Sequence, residues 1–134
     1  MPLEEGVYDI KNIVKQKPLL VFSNSDEGTP VAAIDSKGSW QTKFVVKWIA
    51  GSRYTITSQA LTWNVGANNE KNYPFATRHY FEWAIEEAGN GTYRIHEPYD
   101  NSYLYLPEGE GTVRVLKRGA TGGDDEKWNF VKEK

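Results

Sequence analysis

The chain of 134 residues has no cysteine, one methionine and two histidines. Without Cys there is no disulfide framework, no thiolate nucleophile and no Cys-ligated zinc or iron–sulfur site, which fits a reducing compartment and sets a cytoplasmic location as the expectation. No apolar run approaches the roughly 18 residues of a membrane-spanning helix. The opening Met1-Pro2-Leu3-Glu4-Glu5-Gly6 has neither the basic nor the apolar region of a secretory signal, so neither membrane insertion nor secretion is expected. Charge of one sign is missing too: 16 Lys and Arg stand against 18 Asp and Glu, a formal net charge of -2. The basic residues are scattered, which leaves no stripe for nucleic acid or an anionic membrane. Apolar residues at a period of 3.6 are nowhere sustained long enough for a stable helix.

Turn and strand formers are abundant: twelve Gly, eight Tyr and five Trp. They recur in an order. Trp48-Ile49-Ala50-Gly51 leads into Tyr54-Thr55-Ile56, and Trp83-Ala84-Ile85 leads through Gly89-Asn90-Gly91 into Tyr93-Arg94-Ile95. A third copy is split between the termini, with Tyr8-Asp9-Ile10 at one end and Trp128-Asn129-Phe130 at the other. Alternation places Trp and Ile on one face of a strand, reverses the chain at a glycine corner, and places Tyr and Ile on the inward face of the next strand. The spacing is 46 residues from Tyr8 to Tyr54, 39 from Tyr54 to Tyr93, and 49 from Tyr93 through the termini back to Tyr8.

Three such units are too few for a propeller, which needs roughly four blades or more. A repeat completed by joining the ends predicts a closed threefold body instead. The expectation is one all-β domain over residues 1–134, a β-trefoil of about twelve short strands in three units of four. The strands are expected near 6–13, 19–23, 31–34 and 44–49, then 53–57, 60–65, 73–78 and 80–86, then 92–96, 103–106, 112–116 and 127–132.

Catalytic chemistry finds little to work with. Neither Gly-x-Ser-x-Gly nor a Walker loop appears, and His79 and His96 fall in different units. The carboxylates cluster at Glu86-Glu87, at Glu108 and Glu110, and at Asp124-Asp125-Glu126, each in or beside a turn where solvated charge is ordinary. The last cluster lacks the spaced oxygen ligands of a calcium loop. Asn90-Gly91-Thr92 fits a glycosylation acceptor but reads most simply as a turn. The sequence therefore predicts no enzyme, no metal and no cofactor. Trp48, Trp83 and Trp128 are expected in the core or at the barrel bottom, whereas Trp40 and Trp63 break the pattern, leaving one of them to be exposed.

The opening Glu4-Glu5-Gly6-Val7-Tyr8-Asp9-Ile10, the closing Gly122-Gly123-Asp124 and Trp128-Asn129-Phe130, and the overall length resemble the small cysteine-free β-trefoil proteins of mushrooms. That group includes ricin-B-like lectins and protease inhibitors of the mycocypin and cocaprin types. Ricin-type lectins carry Gln-x-Trp in each unit. The matching tripeptides here are taken as Val46-Lys47-Trp48, Phe81-Glu82-Trp83 and Glu126-Lys127-Trp128, which lack the glutamine on which such a sugar site is built. Mycocypins that block legumain present Asn between the fifth and sixth strands, where this chain has Ser58-Gln59, so legumain inhibition is not expected. Kunitz-type inhibitors offer a basic residue on a long loop after the fourth strand, and Ala50-Gly51-Ser52-Arg53 is too short for that.

What the resemblance then implies is a reversible, non-covalent inhibitor of papain-like cysteine proteases, with pepsin-like aspartic proteases as a second class of target and a homodimer allowed for. A rigid barrel holding a loop ready for a protease cleft loses little entropy on binding. The expected protease-binding loop is Asn24, Ser25, Asp26, Glu27, Gly28 and Thr29, with residues 15–18 and 35–40 as competing loops. An aspartic protease, working at acid pH where Asp26 and Glu27 protonate, would be met elsewhere. The alternative is a carbohydrate-binding lectin, with Trp63, Tyr99 and Tyr103 as aromatic platforms and Asp100 and Asn101 as polar partners.

Overall fold

Thirteen short strands run through the described residues. The computed structural model describes residues 3–35 and 40–133. Its first unit holds β1 (Gly6–Asn12), β2 (Leu19–Leu20), β3 (Ala32–Ala33) and β4 (Phe44–Ala50). The second holds β5 (Arg53–Ser58), β6 (Asn64–Gly66), β7 (Phe75–Thr77) and β8 (Trp83–Gly89). The third holds β9 (Thr92–His96), β10 (Tyr103–Tyr105), β11 (Val113–Arg114), β12 (Leu116–Arg118) and β13 (Trp128–Lys132). One strand expected over 112–116 is thus two, because Val115 leaves the hairpin and donates its N–H to Val31 O (3.1 Å) of the neighbouring unit. The strand expected at 60–65 starts only at Asn64, since Thr62 takes φ 58°, which a strand excludes.

The six long strands close on themselves in the antiparallel order β1-β4-β5-β8-β9-β13, with β13 returning to β1. A closed barrel has no unpaired edge. Three hairpins, β2 with β3, β6 with β7 and β10 with β12, complete the fold. They are tied together where β11 pairs with β3 and where Pro30 bridges Phe75. This is the β-trefoil.

Register shows how the units correspond. Tyr8 pairs with Phe44, Tyr54 with Trp83 and Tyr93 with Trp128, across the three seams between paired strands. Phe44, Trp83 and Trp128 are fully buried, as are Ile10, Ile56 and Ile95, each two residues after one of the same tyrosines on its strand. Trp48 belongs to a different ring of positions. It pairs with Tyr54 as Glu87 pairs with Tyr93 and Lys132 with Tyr8, at the barrel mouth, and is 47% exposed. The core position expected for Trp48 is therefore occupied by Phe44, and the first of the three equivalent tripeptides is Thr42-Lys43-Phe44. At that mouth Leu3 is buried under the tyrosines, its carbonyl accepting from Tyr54 Oη (2.8 Å) while Glu4 O accepts from Tyr8 Oη (2.6 Å).

The corners explain where the barrel strands turn. Gly51 (φ 55°) reverses β4 into β5, and Gly89 (90°), Asn90 (53°) and Gly91 (75°) reverse β8 into β9, each beside a shift in register. Positive φ of this kind is cheap for glycine and tolerable for asparagine. The Asn90-Gly91-Thr92 motif is this turn.

Candidate functional site

Residues 24–29 form a surface loop pinned to the segment ahead of β8. Gly28 N–H donates to Ala76 O and Ala76 N–H to Thr29 O, both at 2.8 Å, and Thr29 Oγ1 accepts from Asp26 N–H at 2.9 Å. Glu27 accepts from Thr77 Oγ1 (2.5 Å) and from Arg78 N–H (2.8 Å). The Thr77 hydroxyl and the Arg78 amide hold its carboxyl below the ordinary carboxylate value, so it stays ionised further into acid than a free glutamate. Asn24 and Asp26 point outward and Gly28 takes φ 91°. Of the competing loops, Lys17 is buried, its Nζ donating to Gly109 O (3.2 Å) and Gly111 O (2.8 Å). Residues 36–39 of the other lie outside the described residues.

The aromatic candidates separate clearly. Trp63 is 9% exposed, with the Arg78 guanidinium lying 3.6 Å from its ring centroid, so its face is covered. Trp40 is the exposed one of the two unpatterned tryptophans. Tyr103 is half-buried and stacks on His96 at 4.5 Å. Tyr99 stands clear of the surface at 89% exposure.

Tyr99 forms one side of a cleft of about 500 Å³ that lies between the second and third units. The β5–β8 and β8–β9 pairings bring its parts together from three distant stretches: Arg53 from the start of β5, Tyr80 and Glu82 ahead of β8, and Tyr99 and Asp100 after β9. A chain of polar contacts links its walls. Arg53 Nη1 donates to Tyr99 Oη (3.0 Å), Arg53 Nε lies 3.4 Å from Glu82 Oε1, and Tyr80 Oη donates to Glu82 Oε2 (2.6 Å). Two tyrosine rings, 65% and 89% exposed, are thus held by their hydroxyls with their faces left open. The bond to Glu82 raises the Tyr80 phenol above its ordinary pKa, so it remains a hydrogen-bond donor through the neutral range.

The sequence pointed to Tyr99 and Asp100 but missed Arg53, Tyr80 and Glu82. The aromatic run His79-Tyr80-Phe81 just ahead of a barrel strand was the available signal. Asn101 is exposed beyond the cleft. In the third unit the residue two before the core tryptophan is Glu126, fully buried and bonded to Thr121, Gly122 and Arg118, while Arg118 lies 3.9 Å over the Tyr105 ring. That position is occupied by contacts within the chain. Among the described residues no group of three or more His, Asp or Glu is placed to hold a metal ion.

No protein-family model and no curated protein matches the chain. Solved structures do. The Rhizoctonia solani agglutinin superposes with a TM-score of 0.89 at 22% identity, covering 99% of each chain. The Macrolepiota procera ricin B-like lectin, solved with lactose, gives 0.84 at 18% identity over 99% of this chain and all of that one. The designed threefold-symmetric protein ThreeFoil gives 0.87 at 16% identity, covering 96% of this chain and 99% of its own. At these identities the likeness shows the β-trefoil fold. None of the three is described as a protease inhibitor.

Proposed function

We propose that this protein binds carbohydrate in the cleft between Tyr80 and Tyr99. The observation that carries the reading is the pair of open tyrosine faces fixed by the Arg53–Glu82 contact. A sugar ring offers an apolar C–H face to an aromatic ring and hydroxyls that both donate and accept. Here the tyrosines supply the faces, Arg53 supplies donors, and Glu82 and Asp100 supply charge-assisted acceptors. The resemblance to an agglutinin and to a lectin solved with lactose supports the same direction. Binding of this kind requires no catalytic group.

A glycan array, followed by titration calorimetry on the hits, tests the proposal. Tyr99→Ala is expected to weaken the best hit about tenfold, since losing one stacked face at roughly 1 kcal/mol and the ordering of Arg53 together approach 1.4 kcal/mol. An array with no reproducible hit, or a Tyr99→Ala protein that binds as tightly as the parent, counts against it.

A second reading, reversible inhibition of papain-like cysteine proteases through residues 24–29, is favoured by one observation: the loop is latched by Glu27 and Gly28, so little ordering remains to be done on binding. Exchanging residues 24–28 for another sequence is expected to abolish papain inhibition under this reading. A pepsin assay on the same variant asks whether aspartic proteases meet a different surface. Absence of inhibition by the unaltered protein removes the reading.

A further inference from the structure

The cleft does not stand alone. Tyr80 and Phe81 line both it and a hollow of about 340 Å³ beside Glu27, Phe75 and His79. Arg53, Pro98 and Tyr99 line both it and a third hollow, of about 370 Å³, beside Ser52, Glu86 and His96. Shared walls make the three hollows one groove, with Tyr80 and Tyr99 standing at its two internal boundaries. Each hollow falls within the size range of sites that hold a small ligand.

The chemistry repeats along the groove as well. Every hollow presents at least one carboxylate held by a donor, and the central cleft adds Glu97 and Asp100. Glu27 is held by Thr77 and the Arg78 amide, Glu82 by Arg53 and Tyr80, and Glu86 by His96 Nε2 at 2.6 Å. Every hollow also borders at least one of the two exposed tyrosines. An acceptor in each of three adjoining hollows, with an aromatic edge at each boundary between them, matches a ligand that is itself repetitive, with hydroxyl donors on each unit and an apolar ring face. Five carboxylates, Glu27, Glu82, Glu86, Glu97 and Asp100, against one arginine and two histidines disfavour an acidic polymer, because like charge brought into the groove is repelled.

We infer that the groove takes a neutral oligosaccharide running from Glu27 of the first unit across the cleft between the second and third units, occupying three adjacent subsites, rather than a single terminal sugar. This rests on the carbohydrate reading above and deepens it. Adjacent subsites on one chain act as linked sites, so each further unit engaged adds affinity without a new translational cost.

The experiment is titration calorimetry with four neutral series, cello-, laminari-, chito- and galacto-oligosaccharides, each from monosaccharide to pentasaccharide. In the series that binds, affinity is expected to rise roughly tenfold or more between mono- and trisaccharide and then to level off. The near-isosteric Glu27→Gln and Glu86→Gln variants are expected to show losses that grow with chain length, whereas Tyr99→Ala weakens every length. Circular dichroism identifies any variant that has lost its fold. A monosaccharide that binds as tightly as its pentasaccharide overturns the extended groove while leaving the sugar-binding cleft standing. Tighter binding of an oligogalacturonate than of any neutral series overturns the neutral ligand. No binding by any member of any series, with an empty array, removes the carbohydrate reading and this inference together.

Discussion

Phe44→Ala is expected to cost about 3–5 kcal/mol of folding free energy, while Trp48→Ala, which removes the larger side chain, costs about 1 kcal/mol or less. Phe44 is fully buried opposite Tyr8, at the position that Trp83 and Trp128 occupy in the other units. It is also the cleanest of the three to truncate. Trp83 Nε1 donates to Val65 O (2.7 Å) and Trp128 Nε1 to Leu104 O (3.2 Å), so removing either strands a buried carbonyl as well as opening a cavity. Phe44 makes no such bond, and its loss is the apolar transfer and cavity terms alone. Trp48, in contrast, has nearly half its surface in water, and its Nε1 donates to Gly51 O (2.8 Å) on an exposed corner that water can satisfy. Against a total stability of roughly 5–15 kcal/mol the first loss is large and the second small. Urea unfolding measures both as a shift in midpoint at constant slope. Equal losses would mean that the barrel mouth is packed as tightly as the seams.

That contrast shows why the repeat was legible and its phase was not. Tyr-x-Ile at 8, 54 and 93 recurs because three inward-facing pairs must fill one barrel, and a period of two survives in the sequence. The closing of the ends followed from the same pattern. Trp48 followed by a glycine corner imitates a unit, yet only the pairing of strands reveals that it lies four residues beyond the equivalent core position, with Phe44 in the tryptophan's place. The cleft was hidden for a similar reason. Arg53, Glu82 and Tyr99 are neighbours only through strands that pair across the units, so no window of sequence contains them. Trp63 looked like an available platform because nothing local predicts that Arg78, fifteen residues on, will cover it. Asp124-Asp125-Glu126 read as a solvated turn, which holds for Asp124 and fails for Glu126, since a one-turn 3-10 helix directs the last carboxylate inward.

Replacing that carboxylate is the second large effect expected. Glu126 has no exposed surface, and Glu126→Ala is expected to cost about 3 kcal/mol, because it leaves the groups that faced it without their acceptor. Those groups are Thr121 Oγ1 (2.6 Å), Thr121 N–H (2.8 Å), Gly122 N–H (3.2 Å) and Arg118 Nη2 (3.2 Å), with Arg94 Nε at 3.9 Å. Burial by itself would push the Glu126 pKa up. The hydrogen bonds from Thr121, Arg118 and Gly122 outweigh it, and the carboxyl is held below its ordinary value. A group depressed in the folded state adds stability above its unfolded pKa, near 4.3 for glutamate, and that stability is lost as the pH falls through the folded value. The near-isosteric Glu126→Gln variant separates charge from shape. At neutral pH it is expected to be less stable than the parent, and the gap should narrow steadily as the pH is lowered below about 4 and the parent's carboxylate takes up its proton. Urea unfolding of both proteins at a series of pH values reads this directly. A gap that stays constant on acidification would show that folding leaves the carboxyl's hold on its proton unchanged, and a parent that gains on the variant as the pH falls toward 4 would show that the native side chain is already protonated, the donors around Glu126 then holding a neutral acid.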